Sequence, residues 1–472
     1  MIHEKISFSS DQSGMLEKLS PRKIDSIQRI AKEASRILRR CILAVLATGE
    51  KTDEFSKIRE KYPDFGCEIR HDGDFLIVDL FNFPEDILVD GEIMGSVKNL
   101  ILSVIRDVTY SRKKLAEHCE LNEPVSELVF DFVKSAKIIE EGKRTPDRVV
   151  CFGGHSISEE EYDYTKEIGY QLGLRRIEIT TGCGVGAMKG PMKGATIGYR
   201  KLPKEEQNDF DFIGMTELEI IMAEAPNPIV SKLLTLPNIE MRLEAFVRTN
   251  HTAVFFPGGT GTMEELMYLL AVLIQPENKD RDFPIVLTAH GESGAKYWKQ
   301  IHEFVGKVFG AEAQSKYTIV IDVENEDEEK EENGIFYIQH APKIIASDIK
   351  DEITKLRQKR KENGEARHFN WSFEISTELQ KKFDPTHENV RNLRVSPEQK
   401  TFERLVEFRK IFSTIVAGNV KPDGIAAVAE KGKYQINIDK KYTVPLAELL
   451  SSFVAENRMK ISKIYEPCFE IC

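Results

Sequence analysis

The sequence contains no uncharged apolar run of eighteen residues, and it opens Met1-Ile2-His3-Glu4-Lys5 rather than on a basic segment followed by an apolar one. Neither membrane insertion nor export is expected. No C-x-x-C pair occurs: Cys41, Cys67, Cys119, Cys151, Cys183, Cys468 and Cys472 are scattered and odd in number. That excludes a zinc-type spacing and suits reduced thiols of a cytoplasmic protein with no bound metal. Positive charge is also short, with 66 Lys and Arg against 77 Asp and Glu, a net charge of -11 and a pI near 5.6. A nucleic-acid polymer is thereby disfavoured as partner, because it needs a clustered basic surface, whereas a mononucleotide needs only a local positive site. Repeats and low-complexity tracts are missing too. What is present is 472 residues, 41% hydrophobic and 30% charged, enough for two or three globular domains.

The stretch that organises the chain is Pro257 to Glu265, PGGTGTMEE. Before it, Thr252-Ala253-Val254-Phe255-Phe256 has the β-branched and aromatic content of a buried parallel strand, and after it Leu266 to Leu273 forms an apolar helix. Gly258, Gly259 and Gly261 between them permit positive φ and close approach of backbone N–H groups to a ligand, while the opening helix adds its unpaired donors. Such a turn suits a phosphate. It lacks the Lys-Ser/Thr ending of a P-loop and the G-x-G-x-x-G fingerprint. Glu265 lies one turn beyond Thr262 on the same face, and Glu264 is rotated about 100° away. Upstream, Pro237 to Arg248 reads as a helix with Ile239, Leu243, Phe246 and Val247 as its buried stripe and Arg242 off that stripe.

The rest of the chain frames this unit. Residues 1–145 are expected to form an N-terminal α+β domain, with a Ser20-Pro21 helix start running to Gly49, a hairpin at Asp72-Gly73 and an arginine face of Arg36, Arg39 and Arg40. Residues 146–345 alternate strands and helices, which predicts a Rossmann-like, doubly wound parallel α/β sheet as central domain. Its strands are expected at Arg148 to Phe152, Ile177 to Thr180, near Phe212, at Leu218 to Met222, at Val254, at Phe283 to Leu287 and at Tyr317 to Ile321. Gly153-Gly154-His155-Ser156 is the first βα turn, where Gly153, Gly154 and Ser156 are candidate nucleotide contacts and His155 a loop hydrogen-bonder. Met188 and Met222 are candidates for a base pocket. An acidic run, Glu324 to Glu332, reads as a solvated loop or helix face. Residues 346–472 are expected to form a C-terminal α+β domain cored by Trp371, Phe373, Phe383, Phe402, Phe408, Phe412, Tyr434 and Phe453.

PGGxGTxxE preceded by a helical arginine resembles the signature of the Lonely-guy family of nucleoside 5′-monophosphate phosphoribohydrolases, long mislabelled lysine decarboxylases. The resemblance implies a catalytic pair at Arg242 and Glu265. The family's first loop, GGGxxGxMG, is matched by Thr181 to Gly190, with Cys183 in place of a glycine, and it makes Gly184, Gly186 and Met188 nucleotide-binding candidates. Leu243 follows the arginine where plant-type members carry lysine. Longer blocks are similar to the larger bacterial pyrimidine/purine nucleotide 5′-monophosphate nucleosidases: Thr181 to Ala195, Phe212 to Glu217, Ala225 to Val230, Phe369 to Ser372, His387 to Asn389, Ile415 to Lys421 and Arg458 to Cys472.

That likeness implies hydrolysis of nucleoside 5′-monophosphates to free base and ribose 5-phosphate, with no cofactor. It also implies a tetrameric homo-oligomer controlled by guanosine tetra- and pentaphosphate, for which Arg36, Arg39 and Arg40 are the candidate anion site. Cleavage of an N-glycosidic bond passes through an oxocarbenium-like state, so a carboxylate near the sugar can stabilise the charge and orient water, the role expected of Glu265. Arg242 would hold the nucleotide or assist the leaving base, while Gly258, Gly259, Gly261 and Thr262 anchor the 5′-phosphate. The alternatives are a non-catalytic nucleotide-binding regulatory protein and a transferase that moves the ribose phosphate to an acceptor other than water.

Overall fold

The computed structural model describes residues 5–12, 16, 20–49, 55–121, 124–140, 145–207, 210–459 and 468–471. Residues 141–144, near the end of the expected first domain, and most of the closing block, 460–467 and 472, lie outside the described residues. The chain divides into two compact units, residues 1–142 with 211–245, and residues 143–210 with 246–472.

In the first unit the Asp72-Gly73 signal makes its hairpin. Gly66–Asp72 and Phe75–Phe81 pair antiparallel with Asp72 opposite Phe75, and Gly73 takes the left-handed turn position at φ +55°. Lys5–Ser9 joins the other side of Phe75–Phe81. The helix expected from Pro21 to Gly49 is broken at Ala34 (φ -95°, ψ 13°) into Pro21–Glu33 and Ser35–Leu46. Gly95–Leu121 is the long helix of this unit. It is tied to strand Lys232–Leu236, because Arg106 donates to the Leu233 carbonyl at 2.8 Å and Asp107 accepts the Thr235 N–H at 2.7 Å. That strand pairs parallel with Phe212–Glu217. The strand expected at Leu218 to Met222 is instead a short helix, Leu218–Ile221. Its apolar residues fold into one turn directly behind Glu217, and the β partner comes from Lys232-Leu233-Leu234-Thr235-Leu236, which the alternation missed.

The second unit is the parallel α/β fold expected of the centre of the chain. Its strands are ordered Lys330–Glu332, Ile335–Gln339, Thr318–Val323, Ile285–His290, Thr252–Phe255, Asp147–Phe152, Ile177–Thr181. All these neighbours run parallel except the edge hairpin 330–339. The short edge strand Lys330–Glu332 lies inside the acidic run and is exposed, so those charges are solvated as expected. Strand order reverses where Asp147–Phe152 meets Thr252–Phe255, with Phe152 opposite Phe255. In a doubly wound sheet the ligand crevice opens at the carboxyl ends of such a pair. Here those ends lead into Gly153-Gly154 and Pro257-Gly258-Gly259.

The same unit carries the C-terminal helices Ala341–Glu362, Thr401–Val420, Pro422–Lys431 and Lys440–Ala455, with a strand pair Tyr434–Ile436 and Phe469–Ile471. Phe373, Phe408, Phe412, Tyr434 and Phe453 are buried as expected, Phe383 and Phe402 are half-buried, and Trp371 is exposed at 39%. Trp371 is therefore not part of the core; it lies tilted against Phe369 at the edge of the unit.

Candidate functional site

Three glycine turns of the second unit are hydrogen-bonded to one another. Gly154 donates to the Pro257 carbonyl at 3.0 Å and its own carbonyl accepts the Ala187 N–H at 3.0 Å. A Cβ on Gly153 would stand 2.6 Å from Ala187 Cβ, one on Gly154 3.0 Å from Gly258 Cα, and one on Gly186 2.4 Å from the His155 carbonyl oxygen. These positions need glycine because backbones pass in contact. Both polar backbone groups of Gly154 are spent in joining the turns, so its part in the site is structural rather than that of a donor to nucleotide.

Close approach also explains the organising loop, and the expectation of positive φ there is corrected. Gly258, Gly259 and Gly261 all keep φ out of the left-handed region, Gly259 at -111°. A Cβ at Gly258 would fall 2.1 Å from Thr262 Oγ1, and one at Gly259 2.4 Å from the Arg458 carbonyl oxygen. Gly261 differs, with 3.9 Å to its nearest neighbour, Val416 Cγ2. Space does not require glycine at 261, so a methyl group fits there. In the Thr181 to Gly190 loop, by contrast, Cys183 (φ +76°) and Gly186 (φ +63°) are left-handed. The family's glycine at position 183 matches that backbone, and Cys183 occupies it at the usual non-glycine cost.

Helix Thr260–Ile274 starts at Gly259, and its first return bond runs from the Met263 N–H to the Gly259 carbonyl at 3.1 Å. The N–H groups of Gly259 to Thr262 precede the helical ladder and are the donors available to a phosphate. Gly258 is not among them, for its N–H donates to the Tyr297 hydroxyl at 3.1 Å. Glu265 lies one turn in and is buried, at 8% exposure, together with Thr262 and Glu264. Glu264 is opposed by Arg409, whose Nη1 is 3.5 Å from Glu264 Oε1 and which has no exposed surface at all. Sequence reading missed Arg409, since it sits on Thr401–Val420, far along the chain, among phenylalanines that look like plain core.

Of the other candidates in this unit, Met188 is half-buried, with its Sδ and Cε close against Gly184, and His155 faces the same turn, Nδ1 lying 3.4 Å from where a Gly184 Cβ would stand. Ser156 is exposed and lines a cavity of about 740 Å³ with Ser158, Glu161, His290 and Arg458. His387 donates from Nε2 to the Gly432 carbonyl at 2.7 Å and lies on Tyr434, an ordinary structural turn.

Arg242 and Met222 belong to the first unit. Helix Ile239–Thr249 has no solvent face: every residue of it is buried, so the expected single buried stripe is corrected, and Arg242, off that stripe, is buried as well. Arg242 is 7% exposed and its Nε donates to the Met215 carbonyl at 3.1 Å. Glu244 accepts from Ser126 Oγ at 2.5 Å. Among the described residues no group of His, Cys, Asp and Glu has the arrangement of a metal site, and no helix is long and apolar enough to cross a membrane.

Comparison with known proteins places these features in context. A family model described as pyrimidine/purine nucleotide 5′-monophosphate nucleosidases matches residues 9–115, one described as possible lysine decarboxylase matches 188–330, and one described as pyrimidine/purine nucleotide monophosphate nucleosidase, C-terminal, matches 353–472. The pyrimidine/purine nucleotide 5′-monophosphate nucleosidases of Escherichia coli strains K12 and O157:H7 are each 39% identical over 470 residues, covering 97% of this chain and 98% of theirs. A solved molybdenum cofactor binding protein from Rippkaea orientalis aligns over 38% of this chain and 91% of its own at 15% identity, but its TM-score of 0.26 supports no argument.

Proposed function

The chain belongs to the pyrimidine/purine nucleotide 5′-monophosphate nucleosidase family, and from that premise we propose how its residues hydrolyse the N-glycosidic bond of nucleoside 5′-monophosphates to free base and ribose 5-phosphate. The 5′-phosphate lies on the N–H groups of Gly259 to Thr262 and on the Thr262 hydroxyl. Remote binding energy from that phosphate fixes C1′ of the ribose beside Glu265. The Glu265 carboxylate stabilises the developing oxocarbenium ion and orients the attacking water. Arg242 holds the nucleotide or assists the departing base. Gly153, Ser156, Gly184, Gly186 and Met188 shape the nucleotide side of the crevice, and Gly154 joins the turns.

The observation that carries this reading is Glu265 itself, a buried acid one turn inside a helix whose leading N–H groups are unspent, at the reversal point of a parallel sheet. Product analysis with AMP, GMP, CMP, UMP and IMP, each beside its nucleoside, tests it. Base and ribose 5-phosphate from monophosphates alone, abolished in Glu265→Ala, are expected. Nucleotide bound with no base released would turn the assignment to a regulatory nucleotide-binding protein.

The same proposal extends to setting. Three functional parts, 1–145, 146–345 and 346–472, are supported by the separate spans of the family models. A cytoplasmic location suits thiols such as Cys41 and Cys468, which burial pushes up to about 12 and so keeps unreactive. A homotetramer controlled by guanosine tetra- or pentaphosphate follows from the resemblance. Arg36 is exposed, and Arg39 donates to the Pro63 carbonyl at 2.8 Å. Replacing Arg36, Arg39 and Arg40 by alanine is expected to abolish the response to the alarmone, and an intact response removes them from that role.

A further inference from the structure

We propose that Tyr297 is a positioning residue for the phosphate loop, and that with Arg458 it forms the wall against which Pro257-Gly258-Gly259 is held. The inference rests on the phosphate-loop reading above and names what keeps that loop in shape. Tyr297 lies on helix Gly291–Phe309. Its hydroxyl accepts the Gly258 N–H at 3.1 Å and donates to the Gly258 carbonyl at 3.0 Å. One side chain thus satisfies both backbone groups of one loop residue and fixes the orientation of the two peptides that flank it. Having given its proton to a carbonyl, this hydroxyl has none to offer a substrate. Burial raises it well above the usual tyrosine range, so it stays protonated and keeps donating at any working pH.

The ring is held as firmly as the hydroxyl. Trp298 meets it edge-on at 4.9 Å between centroids, Phe453 stacks on it at 6.1 Å, and the Arg458 guanidinium lies 4.7 Å from its centroid. Arg458 is anchored in turn by Glu161 at 2.9 Å and Glu456 at 2.8 Å. Glu161 also accepts the Ser158 N–H at 2.9 Å, closing the capping box of helix Glu159–Leu174, which follows the Gly153-Gly154 turn. The carbonyl of Arg458 then backs Gly259 at a distance that admits no Cβ. Three parts of the chain, near residues 160, 297 and 458, therefore converge on the rear of one loop. Tyr297 takes the Gly258 N–H, so the donors that precede the helical ladder are those of residues 259–262.

Tyr297→Phe keeps the ring and its packing and removes only the oxygen. It should be compared with Gly261→Ala, which changes the ligand side of the loop where a methyl group fits. For Tyr297→Phe the expected result is a KM for AMP raised roughly tenfold, the size set by two buried backbone groups left without partners, with kcat within about twofold. Affinity for ribose 5-phosphate should weaken by the same factor. A lowered melting temperature with unchanged KM and unchanged ribose 5-phosphate affinity would overturn the proposal and leave Tyr297 a packing residue. If Gly261→Ala raises KM while Tyr297→Phe does not, the loop still binds phosphate and the wall is refuted. If neither moves KM, the phosphate loop itself is misassigned and both readings fall. Should Tyr297→Phe fail to fold, Arg458→Ala, which strips the cation from the ring, gives the same measurement: a raised KM supports the wall and an unchanged one refutes it.

Discussion

Helices Ile239–Thr249 and Thr260–Ile274 are both buried almost throughout, yet they bury opposite things. The second is apolar after its first turn, with Leu266 to Leu273 in the core, and its charge is confined to Glu264 and Glu265 at the start. The first takes Glu240, Arg242, Glu244 and Arg248 into the interior along with its apolar residues. Charges carried inside need partners. Arg242 has the Met215 carbonyl, Glu244 has Ser126, and Arg248 donates to the carbonyls of Asn370 and Phe373, each at 2.7 Å. A fully buried apolar helix is built for packing, whereas a fully buried charged one has been given its polar groups for another reason. Under the proposal above, that reason for Arg242 is the substrate.

The comparison breaks most sharply at Glu265. Glu265→Gln, nearly isosteric, is expected to lower kcat by about 10³-fold, the range of a lost charge-stabilising and water-orienting group, at little cost in stability. Activity within tenfold of wild type, by single-turnover base release, would make Glu265 a mere helix-start charge. Next comes Arg242→Lys, which keeps the cation and discards the planar fork; a fall in kcat/KM of about 10²-fold is expected, and no change would make the charged helix purely structural. Arg409→Met removes the buried cation opposite Glu264 and should cost about 3–5 kcal/mol of stability. Combining it with Glu264→Met should restore most of that, since a hydrophobic pair of similar volume replaces a buried ion pair well. Denaturant midpoints of the single and double variants measure the difference.

The smallest effect concerns pH. Burial, with Arg360, Arg357 and Arg148 adding their charge, holds His251 well below its ordinary 6.5, so the folded protein keeps it neutral. The unfolded chain takes up a proton near pH 6.5. Stability is therefore whole above that pH and declines as pH falls from there toward the folded value. Urea midpoints between pH 7.5 and 5.5 should fall in the wild type and fall less in His251→Asn.

Much of this was legible in the sequence because it is local. The strand, glycine turn and apolar helix around Pro257 follow from composition and period, and the hairpin at Asp72-Gly73 from turn chemistry. Periodicity failed where it assigns charge to solvent, as with the face bearing Arg242. It also failed at Leu218 to Ile221, where one apolar helical turn and a short strand look alike in four residues. Arg409, Tyr297 and Arg458 could not be found by pattern at all. Each gains its meaning from a partner some forty to three hundred residues away, and only the folded chain brings those partners together.

The Arg458 carbonyl behind Gly259 also has a consequence in time. During synthesis residue 458 follows residue 259 by 199 positions, which at about 5–20 residues per second is roughly 10–40 s. For that interval the nascent chain carries the glycine loop while the carbonyl that backs Gly259 is still unsynthesised. The loop acquires its final shape only after translation has passed the last of the elements that support it.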